Sequence, residues 1–155
     1  LSKAEAVFTG GGNTFLLVKQ LHEQGLMKPL ASAVQNGVKY LGTSAGSNIC
    51  GLSMHTTNDM PIVHPPSFKT LGLFNFNINP HYLDPDPQST HKGETRETRL
   101  NEFHHQCHHP VIGLREGSYL RLKGHKITLK GQLTARVFEA NKAAYELEPE
   151  TEITF

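Results

Sequence analysis

Tyr40-Leu41-Gly42-Thr43-Ser44-Ala45-Gly46-Ser47-Asn48 decides how the rest of this chain is read. A short apolar run, Val38 to Leu41, ends in Gly42-x-Ser44-x-Gly46, and a small-residue segment capable of helix follows. This is the nucleophile-elbow pattern, in which a strand turns sharply into a helix and holds a serine hydroxyl at the top of a sheet. Glycines suit the flanking positions because the turn is tight and the backbones on either side pack closely. The same turn aims the Ala45 N–H, at the start of a helix, toward an oxyanion formed by attack of Ser44 on a carbonyl. Because Gly, Ser and Ala are common residues, the pentapeptide recurs by chance. Its weight depends on partners elsewhere in the chain.

Upstream of the elbow, the apolar run Ala6 to Thr9 reads as a strand and gives way to Gly10-Gly11-Gly12-Asn13. Thr14 to Glu23 then carries helical spacing, with Phe15, Leu17, Val18 and Leu21 on one side. Strand, glycine loop and helix is an arrangement in which free N–H groups gather to face an anion or oxyanion, although a plain βα turn has the same composition. It is not a phosphate loop, since the Gly-Lys-Ser/Thr ending is absent. Gly25 ends this helix, Pro29 opens a second over about Leu30 to Asn36, and Gly37 lies past its end. The order β-α-(α)-β-elbow-α predicts an α/β fold with a parallel, doubly wound sheet. Reactive groups in such sheets sit at the carboxyl ends of the strands, which is where both the triple-glycine loop and Ser44 fall.

The 155 residues are enough for one domain with a real core. Fifteen Lys and Arg balance fourteen Asp and Glu, so nothing in the charge points to nucleic acid or to a membrane surface as a partner. No apolar run approaches the length of a membrane span. Cys50 and Cys107 are too few and too scattered for a disulfide framework, which makes a reducing, cytoplasmic setting the expectation. The chain opens Leu-Ser-Lys-Ala-Glu-Ala and runs at once into a strand, like the end of a helix entering a central strand. The expectation is that N-terminal strands and helices of the fold lie upstream, so that an N-terminal fragment of the same protein is a candidate partner.

Downstream, Asp59 in His55-Thr56-Thr57-Asn58-Asp59-Met60-Pro61 is placed to orient a histidine, or else forms an Asn-Asp turn before a proline. Phe74 to Ile78 alternates like a strand and leads to Asn79-Pro80-His81, and a histidine just past a strand end is where a general base belongs in this architecture. The charged run His91 to Arg99 is expected to begin a polar helix continuing to about Cys107. Within it Arg96 offers the fixed guanidinium fork that reading a carboxylate requires. His104/His108 and His105/His109 are i, i+4 pairs, a spacing that can set two imidazoles on one metal. No carboxylate lies inside that cluster, however, and histidines near a helix C-terminus are favoured by the dipole alone. Val111 to Leu114 reads as a buried strand, and Glu116 just after it is a second candidate to orient a histidine. Ser118 to Leu122, Lys126 to Leu129 and Ala135 to Glu139, with glycine turns between them, read as antiparallel strands or an edge meander. The tail from Asn141 is polar and acidic, with Ile153 and Phe155 as docking residues.

Taken together, six ordered stretches resemble the peptidase E (α-aspartyl dipeptidase) family of serine peptidases: Gly10 to Phe15, Gly42 to Gly46, Thr56 to Val63, Asn79 to His81, His91 to Arg96 and Gly113 to Gly117. The resemblance runs from about Ala4 to Phe138. It implies a flavodoxin-like sheet related to that of class I glutamine amidotransferases, with a C-terminal antiparallel extension, and hydrolysis of Asp-X dipeptides without a cofactor or metal. By the same resemblance Ser44 is the nucleophile, His81 the general base, Gly12 and Ala45 the oxyanion donors, and Arg96 the group that pairs with the substrate's aspartate side chain. Asp59 and Glu116 both match positions of the third triad member. Asp59 is favoured here because its shorter side chain sits in a constrained Asn-Asp-Met-Pro segment. Two other functions remain to be weighed against this one: a catalytically inactive acidic-peptide-binding module on the same fold, and a metal-dependent hydrolase using the His104–His109 cluster.

Overall fold

Strands β1 (Ala6–Thr9) and β2 (Lys39–Gly42) pair in parallel, with Ala6 opposite Lys39 and Thr9 opposite Gly42. Their carboxyl ends therefore finish level with each other, and the loops that follow, Gly10–Asn13 and Thr43–Ser44, emerge at one edge. The computed structural model describes every residue except Ser2, Ser89 and His91, and these residues form two compact units, Leu1–Pro80 and His81–Phe155. His91, the first residue of the charged run above, thus lies outside the described residues.

In the first unit β1 leads to α1 (Thr14–Glu23), with the expected bounds. Asn13 caps it, its side chain accepting from the Leu16 N–H at 3.1 Å. Helix α2 spans Met27–Gln35, starting three residues earlier than expected from Pro29. Proline is tolerated anywhere in a first turn because its missing N–H has no intrahelical partner there, so it marked the turn and not the boundary. Val18, Met27, Leu30, Ile49, Met54 and Leu71 form the buried core under β1 and β2. Phe8 and Leu41, which sit in register on the two strands, point the other way and are exposed.

After β2 comes α3 (Ala45–Asn48), then a 3-10 turn (Met54–Thr56) and β3 (Asn77–Pro80). The expected strand over 74–78 is displaced toward the C-terminus. Phe74 and Phe76 stack on one another at 5.0 Å, and every residue of β3 is buried. Its two buried asparagines are tied by hydrogen bonds to the 53–58 segment. Asn77 Oδ1 accepts from the Ser53 N–H (2.9 Å), while Asn79 Nδ2 donates to the Thr56 carbonyl and to Asn58 Oδ1 (both 2.8 Å). A strand buried on both faces loses the alternation that sequence reading relies on.

The second unit is built on β4 (Val111–Leu114), β7 (Ala135–Phe138) and β8 (Tyr145–Leu147), paired antiparallel in that order. Strands β5 (Ser118–Lys123) and β6 (Lys126–Gly131) form a hairpin whose turn uses Gly124 at φ +61°. Strand β8 lies in the tail expected to be merely polar. Its sequence, Tyr-Glu-Leu, is too short to signal itself. Ile153 is buried, as expected of a docking residue, and Phe155 is exposed. Helix α4 runs only over Arg96–Phe103, started by Thr95, whose Oγ1 accepts from the Thr98 N–H at 3.1 Å. Among the described residues no helix is long and apolar enough to cross a membrane.

Candidate active site

Ser44 stands between β2 and α3 with φ +54° and ψ −113°, a conformation that costs a non-glycine residue about 1–3 kcal/mol. The glycines of the elbow are there because nothing larger fits. A Cβ on Gly42 would lie 2.3 Å from the Gly46 carbonyl oxygen, and one on Gly46 would lie 2.1 Å from the Thr9 carbonyl oxygen. The turn is then fastened by side chains. Tyr40 Oη donates to the Gly46 carbonyl at 2.9 Å, and Ser47 Oγ donates to the Gly42 carbonyl at 2.9 Å. Burial pushes the Tyr40 hydroxyl's pKa well above its ordinary value, with neighbouring Cys50 adding to the effect, so Tyr40 stays a neutral donor.

The triple-glycine loop faces this serine. A Cβ on Gly11 would meet Ser44 Cβ at 3.3 Å and Oγ at 3.7 Å, so Gly11 is the loop residue closest packed against the hydroxyl-bearing side chain. Gly12, next to it, has φ +138° and open space around its Cα. Neither the Gly12 nor the Ala45 N–H makes a hydrogen bond among the described residues, whereas Gly46, Ser47 and Asn48 donate to the Thr43 and Ser44 carbonyls. Gly12 and Ala45, the expected oxyanion donors, both lie in the unit that carries Ser44. Sequence reading did not single out Gly11, since three consecutive glycines do not say which one approaches the serine.

Asp59 is engaged elsewhere in the same unit. Its Oδ2 accepts from the Thr14 N–H and Thr14 Oγ1, both at 2.6 Å, and from Thr57 Oγ1 at 3.2 Å. It thereby satisfies a first-turn N–H of α1 with a charge matched to the helix dipole. The adjacent Asn58 donates to the Pro80 carbonyl at 2.6 Å, fixing the residue that precedes His81.

In the second unit His81 also takes a left-handed conformation, φ +54°, and its Nδ1 contacts Oε1 of Glu116. The carboxylate beside the imidazole is therefore Glu116, the longer of the two candidates. Arg96 is the first residue of α4 and is half-buried. It borders an open cavity of about 460 Å³, together with Leu83, Asp84, Gly93, Thr95 and Arg99. Burial and the neighbouring Arg99 both lower the Arg96 pKa, and among the described residues no carboxylate pairs with it. A guanidinium at the positive end of a helix is stabilised by a bound anion.

The histidine cluster does not form the paired array its spacing allowed. Helix α4 ends at Phe103, short of the expected Cys107, and His104 caps it, its N–H shared between the Leu100 and Asn101 carbonyls. His104 Nδ1 is bonded to the Cys107 carbonyl at 3.0 Å, which curls the chain out of the helix ahead of Pro110. The i, i+4 relation presupposed a helix that this turn replaces. Among the described residues no group of three or more His, Cys, Asp or Glu side chains could hold a metal.

The sequence profile of peptidase family S51 matches residues 1–130. The chain belongs to peptidase family S51. Among curated relatives of the S51 chain, peptidase E of Streptomyces coelicolor is 57% identical over 147 residues, 95% of this chain and 60% of the relative. A Drosophila melanogaster protein named "Probable alpha-aspartyl dipeptidase" is 51% identical over 156 residues, 100% of this chain and 65% of the relative. The chain thus spans about 60–65% of the length of the relatives it matches. The crystal structure of a candidate peptidase E from Listeria monocytogenes EGD-e superposes with a TM-score of 0.65 at 23% identity, covering 83% of this chain and 60% of that one. That likeness bears out the α/β fold. Here β1 and β2 supply parallel pairing, and the strands from β4 onward supply the antiparallel extension.

Proposed function

We propose that this S51 chain carries the reacting groups of a serine dipeptidase that cleaves Asp-X dipeptides. The observation that carries the reading is Ser44, held at φ +54° on a turn whose two glycines admit no substituent, with Gly11 packed against its side chain. Backbone strain of this kind persists only where the surroundings over-determine it, and it projects the hydroxyl away from its own strand and helix. In this reading Ser44 Oγ attacks the peptide carbonyl while His81 Nε2 takes its proton. Glu116, beside Nδ1, holds the ring in the matching tautomer and offsets the charge the imidazole acquires. The N–H groups of Gly12 and Ala45 receive the oxyanion. His81 then returns the proton to the leaving amine, and water repeats the sequence on the aspartyl ester to release free aspartate.

Arg96 supplies the selectivity. A half-buried guanidinium that no carboxylate among the described residues pairs with gains a charge-assisted, two-pronged contact from the substrate's aspartate side chain. Glutamate places its carboxylate one methylene too far, and asparagine brings no charge, so each leaves that guanidinium poorly paired. The name of the Drosophila relative points to the same activity, and that of the Streptomyces relative to a peptidase. Two free cysteines are compatible with a reducing, cytoplasmic setting.

The test is hydrolysis of Asp-Leu, Glu-Leu and Asn-Leu by the chain and by its Ser44→Ala variant, with a fluorophosphonate probe to label the nucleophile. Turnover of Asp-Leu alone, lost in the variant, together with label on Ser44 is the expected result. Hydrolysis that survives the substitution, or label on another serine, would overturn the reading.

A further inference from the structure

His81 and Glu116 touch in a position open to solvent, with side-chain exposures of 49% and 73%. An ion pair that open contributes little net stability, because both partners are well solvated apart. Something else must hold the two backbones at the spacing that keeps the side chains together, and the residues next to them show what it is.

Arg115, immediately before Glu116, is only 15% exposed, and each of its guanidinium nitrogens is engaged. Nε and Nη2 donate to Asp84 Oδ2 and Oδ1 at 2.9 and 2.6 Å, a parallel fork. The other edge, Nη1 and Nη2, donates to Glu146 Oε2 and Oε1 at 2.8 and 3.1 Å. Nη1 also reaches the Thr134 carbonyl at 2.9 Å and Thr134 Oγ1 at 2.7 Å. Arg115 Cζ lies over the Tyr82 ring, 5.6 Å from its centroid.

Tyr82 and Asp84 belong to the segment that begins with His81, whereas Arg115 and Glu116 leave the end of β4. The two segments are joined at three further points around the Asp84 fork. The Tyr82 N–H donates to the Leu114 carbonyl at 3.1 Å. The buried Tyr82 ring lies flat against Gly113, where a Cβ would approach it to 2.6 Å. Arg115 covers the ring from outside. Only a planar group with donors on two edges can grip Asp84 and Glu146 together, which a lysine ammonium cannot do.

We propose that Arg115 is a positioning residue for the His81–Glu116 pair, its fork to Asp84 setting the distance between the backbone that carries the imidazole and the backbone that carries the carboxylate. This rests on reading His81 as the general base. Glu146 on β8 and Thr134 just before β7 anchor the guanidinium from the other edge, and Arg136 and Glu97 extend the network past them at 3.4–3.5 Å. The division of labour is therefore specific. Asp84 transmits Arg115's position to the imidazole, and Glu146 only holds Arg115 in place.

Two variants remove one edge of the same guanidinium each: Asp84→Asn and Glu146→Gln. NMR of ring-15N histidine detects the Nδ1 proton of His81 bonded to Glu116 and needs no turnover, and steady-state kinetics on Asp-Leu adds kcat and KM. We expect Asp84→Asn to abolish the protected Nδ1 proton and to lower kcat about tenfold or more with KM within twofold, as small misplacements of a base do. Arg115→Lys is expected to do the same. Glu146→Gln is expected to keep the proton and kcat within twofold while lowering Tm. The proposal is overturned if wild type lacks the protected proton, if Asp84→Asn retains it, or if Glu146→Gln loses it equally. A wild-type chain that shows the proton but cleaves no Asp-X peptide removes the dipeptidase reading and leaves the NMR comparison to decide the clamp.

Discussion

Nδ1 of His81 and Oε1 of Glu116 are in direct contact within one compact unit, whereas Asp59 caps α1 through Thr14. The two carboxylates therefore have different work, and substitution separates them. Glu116→Gln is expected to lower kcat on Asp-Leu between about a hundredfold and ten-thousandfold, the range over which acid–base machinery contributes, with little change in stability. Asp59→Ala is expected to cost about 1–2 kcal/mol in urea unfolding, the scale of a lost helix cap, and less than tenfold in kcat. The reverse ranking would give the orienting role to Asp59.

Ser44 offers a test that needs no substrate. Alanine keeps the Cβ and so keeps the strain of φ +54°, while glycine relieves it. Against this, glycine gives the unfolded chain more freedom, which offsets part of the gain. Ser44→Gly is expected to be about 1 kcal/mol more stable than Ser44→Ala by urea midpoint, both being inactive. Equal stability would mean that the strain stored at the elbow is no larger than the unfolded-chain freedom that glycine adds.

The elbow is legible in the sequence because its chemistry is local: a tight turn, two glycines and a serine fall within five residues. The same holds for α1 and for the strand end at Thr9, where composition changes abruptly, while β2 lies one residue past the expected Val38–Leu41 run. What could not be read is non-local or too short to carry a period. Sequence reading favours Asp59 over Glu116 on local stiffness alone, and it does not show the partners brought in from residues 14 and 81 that set the two apart. The Arg115 clamp gathers groups from positions 84, 134 and 146, none of which marks itself as special. Helix α4 was overextended because a charged, polar run has no apolar stripe to show where it stops. His104 ends it by turning its side chain onto the Cys107 carbonyl.

Gly46 is the tightest point of the elbow. An added Cβ would sit 2.1 Å from the Thr9 carbonyl oxygen, and both neighbours are backbone that cannot rotate away. Gly46→Ala is expected to destabilise by about 3 kcal/mol, at the upper end of overpacking effects, and to reduce labelling of Ser44 by a serine-directed probe. By contrast, Gly25→Ala, at φ +66° with open space around it, is expected to cost about 1 kcal/mol, a conformational penalty without a clash. Denaturant midpoints for the two variants give the comparison, and similar losses would show that the elbow tolerates a separation of β1 from α3.

Cys50 lies under the same turn, its Sγ 3.3 Å from the Gly46 carbonyl. Burial pushes its thiol up to about 12, an effect that the nearby Tyr40 hydroxyl only partly offsets. The thiolate is the reactive form, so Cys50 is expected to resist a disulfide reagent at pH 8 in the native chain, leaving partly exposed Cys107 to react first. Both are expected to react after denaturation. Fast native labelling of Cys50, located by peptide mapping, would show that the segment beneath the elbow opens readily.

Glu146 links the second unit's stability to pH. The hydrogen bond from Arg115, helped by Thr134, lowers its carboxyl from the ordinary 4.5 to about 2. A depressed acid contributes stability that is fully present above its unfolded value and is lost as pH falls through its folded value. Between pH 4.5 and 2, therefore, Tm of the wild-type chain is expected to fall more steeply than that of Glu146→Gln. The gap between them should be widest near neutrality and close toward pH 2, where the native carboxyl is itself taking up its proton. Because Glu146 retains 36% exposure, solvent screening moderates the size of the effect but not its sign. Parallel melting curves across that range would show that Arg115 gains nothing from the charge at position 146.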